Sequence, residues 1–184
     1  MTWAPLTHTG WGRVIPAQSE VARPERQATL AALPSAPAIG NRRSYGDACL
    51  NDAGRSIDMT RLDRILALDT ERGHLAVEAG ATLGDLMKTL VPLGWMPPVL
   101  PGSGFASVGG VIANDVHGKN HLSAGSFGQH LTAVTLLQNG GQRRITPGDD
   151  PALFAATCGG VGQTGIILAA EIMLAPCPGR AIAL

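Results

Sequence analysis

The stretch Pro101-Gly-Ser-Gly-Phe-Ala-Ser-Val-Gly-Gly110 contains four glycines in ten residues, and it is the most informative part of the chain. Glycines cluster again at 118–128 and 159–165, and the chain has 24 glycines among 184 residues. The usual share of glycine is only ~7%. Glycine permits left-handed backbone conformations and close approach of the backbone to a ligand. The pattern therefore predicts a soluble α/β or α+β domain whose loops surround a ligand.

The segments between the glycine loops have the periodicity of short strands and helices. Residues 74–80 alternate apolar and polar side chains as a half-buried strand does, and Asn139-Gly140 is a hairpin turn signal. Thr82 and Asp150 are typical N-cap residues, and Ser107 to Ala113 predicts a further short helix. Because several strands follow one another without long helices between them, we predict an α+β fold with two small β-sheets flanked by helices. Residues 1–19 are predicted to be irregular.

Composition excludes several classes of function. Charged residues make up 15% of the chain, the formal net charge is zero and aromatic residues make up 4%, which disfavours a nucleic-acid partner. No apolar run has the length of a transmembrane helix, and the first residues do not have the pattern of a signal peptide. The three cysteines, Cys49, Cys158 and Cys177, have no C-x-x-C spacing, so we expect free thiols and a cytoplasmic location.

Three familiar motifs are present only in part. Residues 160–165 match G-x-G-x-x-G, but they precede a β-rich run, so a tight turn into a strand is predicted instead of a dinucleotide fingerprint. His117 and His121 have a spacing that zinc sites use on helices, but Gly118 disfavours a helix and no metal is expected. The surroundings of Ser126 lack the first glycine of a nucleophile elbow.

Three glycine-bearing segments, 40–47, 101–110 and 114–128, remain unexplained by these motifs. The runs Gly102 to Gly104 and Ser107 to Gly110 are predicted to present successive backbone N–H groups to an anion without any Lys or Arg. Ordinary glycine loops are the alternative interpretation.

Six motifs in a fixed order resemble a known family. They are Arg43-Ser-Tyr-Gly-Asp47, Leu100-Pro-Gly102, Val108-Gly-Gly110, Asp115-Val-His-Gly-Lys-Asn-His121, Ser123-Ala-Gly-Ser-Phe-Gly128, and Leu153-Phe-Ala-Ala-Thr157 followed by Gly162-Gln-Thr-Gly-Ile-Ile167. Together they resemble the FAD-binding domain of the vanillyl-alcohol oxidase/p-cresol methylhydroxylase superfamily. Within it they are most similar to the oxidases of polyprenyl-phosphoryl ribose.

The resemblance implies two α+β lobes that grip an extended FAD. The first lobe is expected at 20–100 and the second at 101–175. A linker at 176–184 would lead towards a substrate-binding cap domain that this chain lacks. Such a chain would be a weak or inactive enzyme by itself, and the alternative is a non-catalytic flavin-binding fragment or one piece of a split enzyme.

The resemblance also assigns cofactor-binding residues. The first pyrophosphate loop would consist of Ile39, Gly40, Asn41, Arg42, Arg43, Ser44, Tyr45, Gly46, Asp47 and Ala48. The second would consist of Gly102, Ser107, Val108, Gly109 and Gly110. Asn114, Asp115, Val116 and His117 would lie beside the flavin, and Ile167 near the adenine or ribose end. His117 is the candidate catalytic residue, although it could equally orient the loop. Valine at Gly109 or Gly110 should then remove FAD binding with little loss of fold.

The sequence departs from the family at three positions. Arg43 stands where related sugar oxidases have the histidine that bonds covalently to the flavin, so non-covalent FAD is expected. Arg42 replaces a common glycine, and Leu122 replaces a second histidine. The implied reaction is oxidation of a sugar hydroxyl to a ketone by hydride transfer to FAD, after which a partner reductase forms the arabinose epimer. A cap-domain polypeptide and self-association through an exposed flavin edge are the other expected partners.

Overall fold

Two β-sheets organise the chain in a computed structural model, which describes residues 2–177 and Gly179. The strands are β1 (Ala4–Thr9), β2 (Pro16–Ala22), β3 (Ala38–Ile39), β4 (Arg55–Asp58), β5 (Ile65–Asp69), β6 (His74–Glu78), β7 (Trp95–Met96), β8 (Leu131–Gln138), β9 (Gly141–Ile145), β10 (Ile166–Met173) and β11 (Ala175–Pro176). The helices are α1 (Gln27–Leu30), α2 (Leu83–Leu90), α3 (Val108–Ala113), α4 (His121–Ala124) and α5 (Pro151–Thr157). The predicted α+β fold with two small sheets flanked by helices is confirmed.

The smaller sheet has the strand order β1-β2-β4-β3. β1 and β2 form an antiparallel hairpin, whereas β4 pairs in parallel with both β2 and β3. In the parallel part, Ile39 lies beside Asp58. The loop that follows Ile39 therefore begins next to the end of β4.

The larger sheet has the strand order β5-β6-β10-β8-β9, and all of its pairs are antiparallel. The long strand β8 returns through Asn139 and Gly140 into β9, and both turn residues have the positive φ that such hairpins need. β7 and β11 form a separate two-stranded ladder.

Two helices begin with the caps that the sequence predicts. The Thr82 side chain accepts a hydrogen bond from the Asp85 N–H at the start of α2, and the Asp150 side chain does the same for Leu153 at the start of α5. The apolar face of α2 is buried through Leu83, Leu86 and Leu90. No helix within residues 2–177 is long and apolar enough to cross a bilayer.

The main apolar core lies against the larger sheet. Strands β6, β8 and β10 contribute Val77, Val134 and Ala170, and the helix α3 contributes Val111 and Ile112. A second, smaller core joins Ile57 of the smaller sheet and Leu62 to Leu168 of the larger sheet. The burial of Val111 and Ile112 thus fixes the position of α3, including its first turn.

The prediction of an irregular segment over residues 1–19 was wrong, because residues 4–9 and 16–22 are paired strands. In β1 only the His8 side chain is buried, so the strand has no apolar alternation that the sequence could reveal. β5 and β6 fall within the range expected for the first lobe, yet they share a sheet with β8 and β10. Pro176, the first residue of the expected linker, pairs with Trp95, and Pro178 and residues 180–184 lie outside the described part.

Candidate functional site

A cleft opens where the end of β3, the first turn of α3 and the turn before β10 meet. Of the predicted site residues it is lined by Ile39, Gly40, Ser44, Ala48, Ser107, Gly109, Gly110, Asn114 and Ile167. Other lining residues are Ala38, Cys49, Met59, Ala79, Ala113, Val161, Gly162 and Gly165. The cleft therefore joins three segments that are far apart in the sequence.

The loop over residues 40–48, here named the first loop, leaves its donors free. Within the part of the chain that the structure describes, no backbone N–H from Gly40 to Asp47 donates a hydrogen bond to a protein acceptor. The loop is held through other atoms: the Asn41 side chain donates to the Phe105 carbonyl at 2.9 Å, and the Ser44 carbonyl accepts from the Trp11 N–H at 3.1 Å. A loop with this many free donors is suited to hold an anion.

Gly40 allows the first loop to lie directly on the start of α3. A Cβ at this position would be 2.2 Å from the Ser107 Oγ and 3.4 Å from its Cβ. Ser107 is buried, and its hydroxyl caps α3 by accepting from the Gly110 N–H at 3.4 Å. A side chain at residue 40 would therefore separate the two walls of the cleft.

The prediction that Ser107 to Gly110 presents successive N–H groups to an anion was wrong. The Val108 N–H donates to the Ala81 carbonyl at 2.8 Å, and the Gly109 N–H donates to the Ala79 carbonyl at 2.7 Å. The Val108 side chain is fully buried in the core. The first turn of α3 thus uses these donors to attach to the chain after β6.

Gly109 is needed for the close packing of α3 against Ala79. A Cβ there would be 3.0 Å from the Ala79 Cβ and 3.3 Å from the Ala79 carbonyl oxygen. Ala79 is itself buried. The sequence-based expectation that valine at Gly109 spares the fold is therefore reversed, and valine at this position is expected to destabilise the fold.

Arg42 and Arg43 make different kinds of contact. The Arg42 guanidinium donates to the buried Asp58 carboxylate, with Nη2 to Oδ2 at 3.0 Å. The Arg43 Cζ lies 5.2 Å from the centroid of the Trp11 ring and 5.3 Å from that of Phe105, a cation–π sandwich. Neither Arg42 nor Arg43 lines the cleft.

The remaining residues of the first loop lie at its outer side. Tyr45, Gly46 and Asp47 are exposed and do not line the cleft, and neither does Asn41. Gly46 has a φ of 61°, a left-handed conformation that glycine adopts without strain. Gly102 is exposed and also lies outside the cleft lining.

The segment 114–117 is fixed mainly by Asp115. Its carboxylate accepts from the Ser126 hydroxyl and from the Gly128 N–H, both at 2.8 Å, so both oxygens are engaged in holding the following loop. Val116 packs against the core. Asn114 lines the cleft, and its side chain donates to the Gly110 carbonyl at 2.8 Å.

His117 is exposed and does not line the cleft. Its backbone pairs with Ser126, and its ring makes an edge contact with His121, with centroids 5.4 Å apart. Within the described residues no group of histidine, cysteine and carboxylate side chains has the arrangement of a metal site.

The turn over residues 161–165 is part of the site, although the sequence indicated only a turn into a strand. That turn is confirmed, with φ values of 76° at Gly162 and 140° at Gly165 before β10 begins. The lining role of Gly162, Gly165, Met59 and Ala79 was missed. The signal that could have found the glycines is their position directly before β10, whose second residue, Ile167, lines the cleft.

Comparison with known proteins identifies similar chains. The model of a family described as "FAD binding domain" matches residues 19–146. Over 178 residues the chain is 44% identical to decaprenylphosphoryl-beta-D-ribose oxidase of Mycolicibacterium smegmatis, which covers 91% of this chain and 39% of that protein. It is 35% identical over 119 residues to Delta(24)-sterol reductase of Homo sapiens, covering 64% of this chain and 23% of the reductase.

A solved structure of alkyldihydroxyacetonephosphate synthase has the same fold, with a TM-score of 0.77 at 19% sequence identity. The match covers 87% of this chain and 32% of the synthase chain. The chain thus spans less than half the length of each of these proteins.

Proposed function

The chain belongs to the FAD-binding-domain family, and from this premise we propose that its cleft holds FAD as the cofactor-binding part of an oxidoreductase. The predicted resemblance to the vanillyl-alcohol oxidase/p-cresol methylhydroxylase superfamily is confirmed by the family match and by the shared fold. The proposal concerns which residues hold the cofactor, how it is bound and which reaction it serves.

The free N–H groups of the first loop are the observation that carries the assignment. The FAD diphosphate is a dianion, and two residues of the first loop that line the cleft, Gly40 and Ser44, have N–H groups without a protein acceptor within the described structure. The facing wall is made of Gly109, Gly110 and the turn at Gly162, where the absence of side chains leaves room for an extended ligand. The apolar Ile39, Met59 and Ile167 would pack against its rings.

Non-covalent binding is the second part of the proposal. Arg43 occupies the position of the linking histidine, and its guanidinium is stacked between Trp11 and Phe105. Cys49 lines the cleft, but burial raises the pKa of its thiol, which keeps it protonated and poorly nucleophilic. Neither side chain is suited to form a bond with the flavin.

The reaction that we propose is oxidation of a sugar hydroxyl to a ketone. When bound, FAD supplies the acceptor for a hydride from the alcohol carbon. The 44% identity to decaprenylphosphoryl-beta-D-ribose oxidase supports a sugar alcohol as substrate. His117, on the exposed loop after Asn114, would accept the hydroxyl proton or orient this loop. As partners we propose a cap-domain polypeptide, a partner reductase and a second copy of the chain. The proposed location is cytoplasmic.

The purified chain titrated with FAD is expected to show the flavin absorbance bands and a saturable change in flavin fluorescence. Acid precipitation should then release all of the flavin into the supernatant, because no covalent link holds it. Flavin that stays in the pellet would contradict the non-covalent assignment. The absence of any saturable change with FAD would contradict the assignment of the cleft.

Cysteine labelling is expected to map the cofactor onto the cleft. With FAD at 100 times its Kd, alkylation of Cys49 by iodoacetamide should be about 100-fold slower, because only the unliganded fraction reacts. Cys177, which does not line the cleft, should react at an unchanged rate and serves as the control. Peptide mass spectrometry measures both rates, and equal protection of the two thiols would place FAD elsewhere.

Cys158 provides an internal reference in the same experiment. Burial, and secondarily the Asp115 carboxylate, raise the pKa of its thiol from 9.0 to about 11. Near pH 8 its thiolate fraction is therefore about 100-fold below that of a thiol of ordinary pKa, and we expect its alkylation to be correspondingly slow.

A further inference from the structure

Arg42 has an unusual backbone conformation for a residue with a side chain. Its φ is 52°, in the left-handed region where Cβ crowds the backbone and glycine is favoured. Such a conformation persists only where the surrounding structure enforces it. The contacts of the Arg42 side chain show what enforces it here.

Asp58 is the anchor of these contacts. Its side chain is completely buried at the end of β4, beside Ile39, from which the first loop departs. Its Oδ2 accepts from the Arg42 Nη2 at 3.0 Å and from the Arg23 Nη2 at 2.8 Å. Its Oδ1 accepts from the N–H and hydroxyl of Thr60 at 3.0 and 2.6 Å. The carboxylate is thus fully used, and it fixes one end of the first loop to the smaller sheet.

The cluster of Arg23, Arg42 and Asp58 has a net positive charge, since two guanidiniums share one carboxylate. The Arg42 side chain is only 18% exposed, so its charge is poorly screened by solvent. This charge lies at the base of the first loop, in which Gly40 and Ser44 line the cleft and have N–H groups without a protein acceptor within the described residues. The positive field and the free donors therefore favour the same kind of ligand, a diphosphate.

We propose that Arg42 and Asp58 are a positioning pair for the cofactor diphosphate. The pair holds the first loop in its conformation without the conformational freedom of glycine, and it adds a positive charge at the base of that loop. The inference rests on the proposed FAD site and assigns a role to a residue pair within it.

The test compares the FAD Kd of three variants of Arg42 at two salt concentrations. Arg42→Gln removes the charge and the ion pair but keeps the left-handed strain, and it is expected to raise the Kd by about 10- to 100-fold. Arg42→Lys keeps the charge, so its Kd should lie between those of the wild type and Arg42→Gln. Arg42→Gly relieves the strain but lacks the charge, so it should also recover only part of the affinity.

The salt dependence of the FAD Kd shows whether Arg42 acts on binding through its charge or only supports the fold. The Kd of the wild type and of Arg42→Lys should rise more steeply with salt than that of Arg42→Gln and Arg42→Gly. Asp58→Asn should also weaken binding, and combined with Arg42→Gln it should weaken binding by less than the product of the two single effects. Arg55→Gln, which breaks the exposed Arg55–Glu20 ion pair of the same sheet, is the control and should leave the Kd unchanged.

The outcomes are distinguishable. A wild-type chain that does not bind FAD overturns the proposed function and this inference with it. A wild-type chain that binds FAD, together with an Arg42→Gln variant of equal Kd and equal salt dependence, overturns only the positioning pair. Equal losses in Arg42→Gln and in the control Arg55→Gln would also overturn it, because the effect would then be a general loss of sheet stability.

Discussion

Gly109→Val is expected to lower the Tm of the FAD-free protein by up to about 6–12 °C, because overpacking against the buried Ala79 costs up to about 3 kcal/mol and 1 kcal/mol is worth about 2–4 °C in a domain of this size. The Cβ would already approach the Ala79 Cβ to 3.0 Å, and valine adds two methyl groups. Movement of α3 to relieve the contact would stretch the 2.7 Å hydrogen bond from the Gly109 N–H to the Ala79 carbonyl.

Gly110→Val is the matched control, one residue further along α3. A Cβ at Gly110 meets only the Ser107 Oγ, at 3.1 Å, and this residue lines the cleft. The Tm of Gly110→Val should therefore fall less than that of Gly109→Val, while the affinity of Gly110→Val for FAD should fall. Thermal unfolding followed by circular dichroism without FAD measures the first effect. A Gly109→Val variant as stable as the wild type would show that α3 does not depend on this contact.

Gly40→Val is expected to raise the FAD Kd by about 10- to 100-fold, as overpacking of about 1–3 kcal/mol at the cleft wall must be relieved by displacing the first loop. The Cβ would overlap the Ser107 Oγ at 2.2 Å, and Ser107 cannot retreat without losing its cap on α3. The free N–H groups that follow Gly40 would then move away from the diphosphate. Fluorescence titration with FAD gives the Kd directly.

Gly102→Ala is the control for this experiment. No atom lies within 4 Å of a Cβ at Gly102, and this residue is exposed and outside the cleft lining. The family resemblance assigned both Gly40 and Gly102 to the pyrophosphate site, whereas only Gly40 lines the cleft, so Gly102→Ala tests the assignment on which sequence and structure differ. Loss of FAD binding in Gly102→Ala would favour the sequence assignment of this residue to the site.

Local signals in the sequence were sufficient for much of the secondary structure. The cap residues Thr82 and Asp150, the Asn139-Gly140 turn and the alternation over 74–80 all act through neighbours within a few residues, and each is confirmed. The hairpin of β1 and β2 was missed because its stability comes from pairing, while only one side chain of β1 is buried.

The sequence by itself determined the fold class, and its motifs of adjacent residues carried the resemblance that implied the family and a first pyrophosphate loop over residues 39–48. Only the tertiary structure decided what each glycine does. Gly109 and Val108 give their N–H groups to carbonyls after β6, whereas the donors from Gly40 to Asp47 have no protein acceptor within the described residues. A hydrogen bond between residues 109 and 79, or an ion pair between Arg42 and Asp58, joins positions that have no regular spacing in the chain. Their partners are set by which buried surfaces the sheets bring together, and that information exists only once the core has formed.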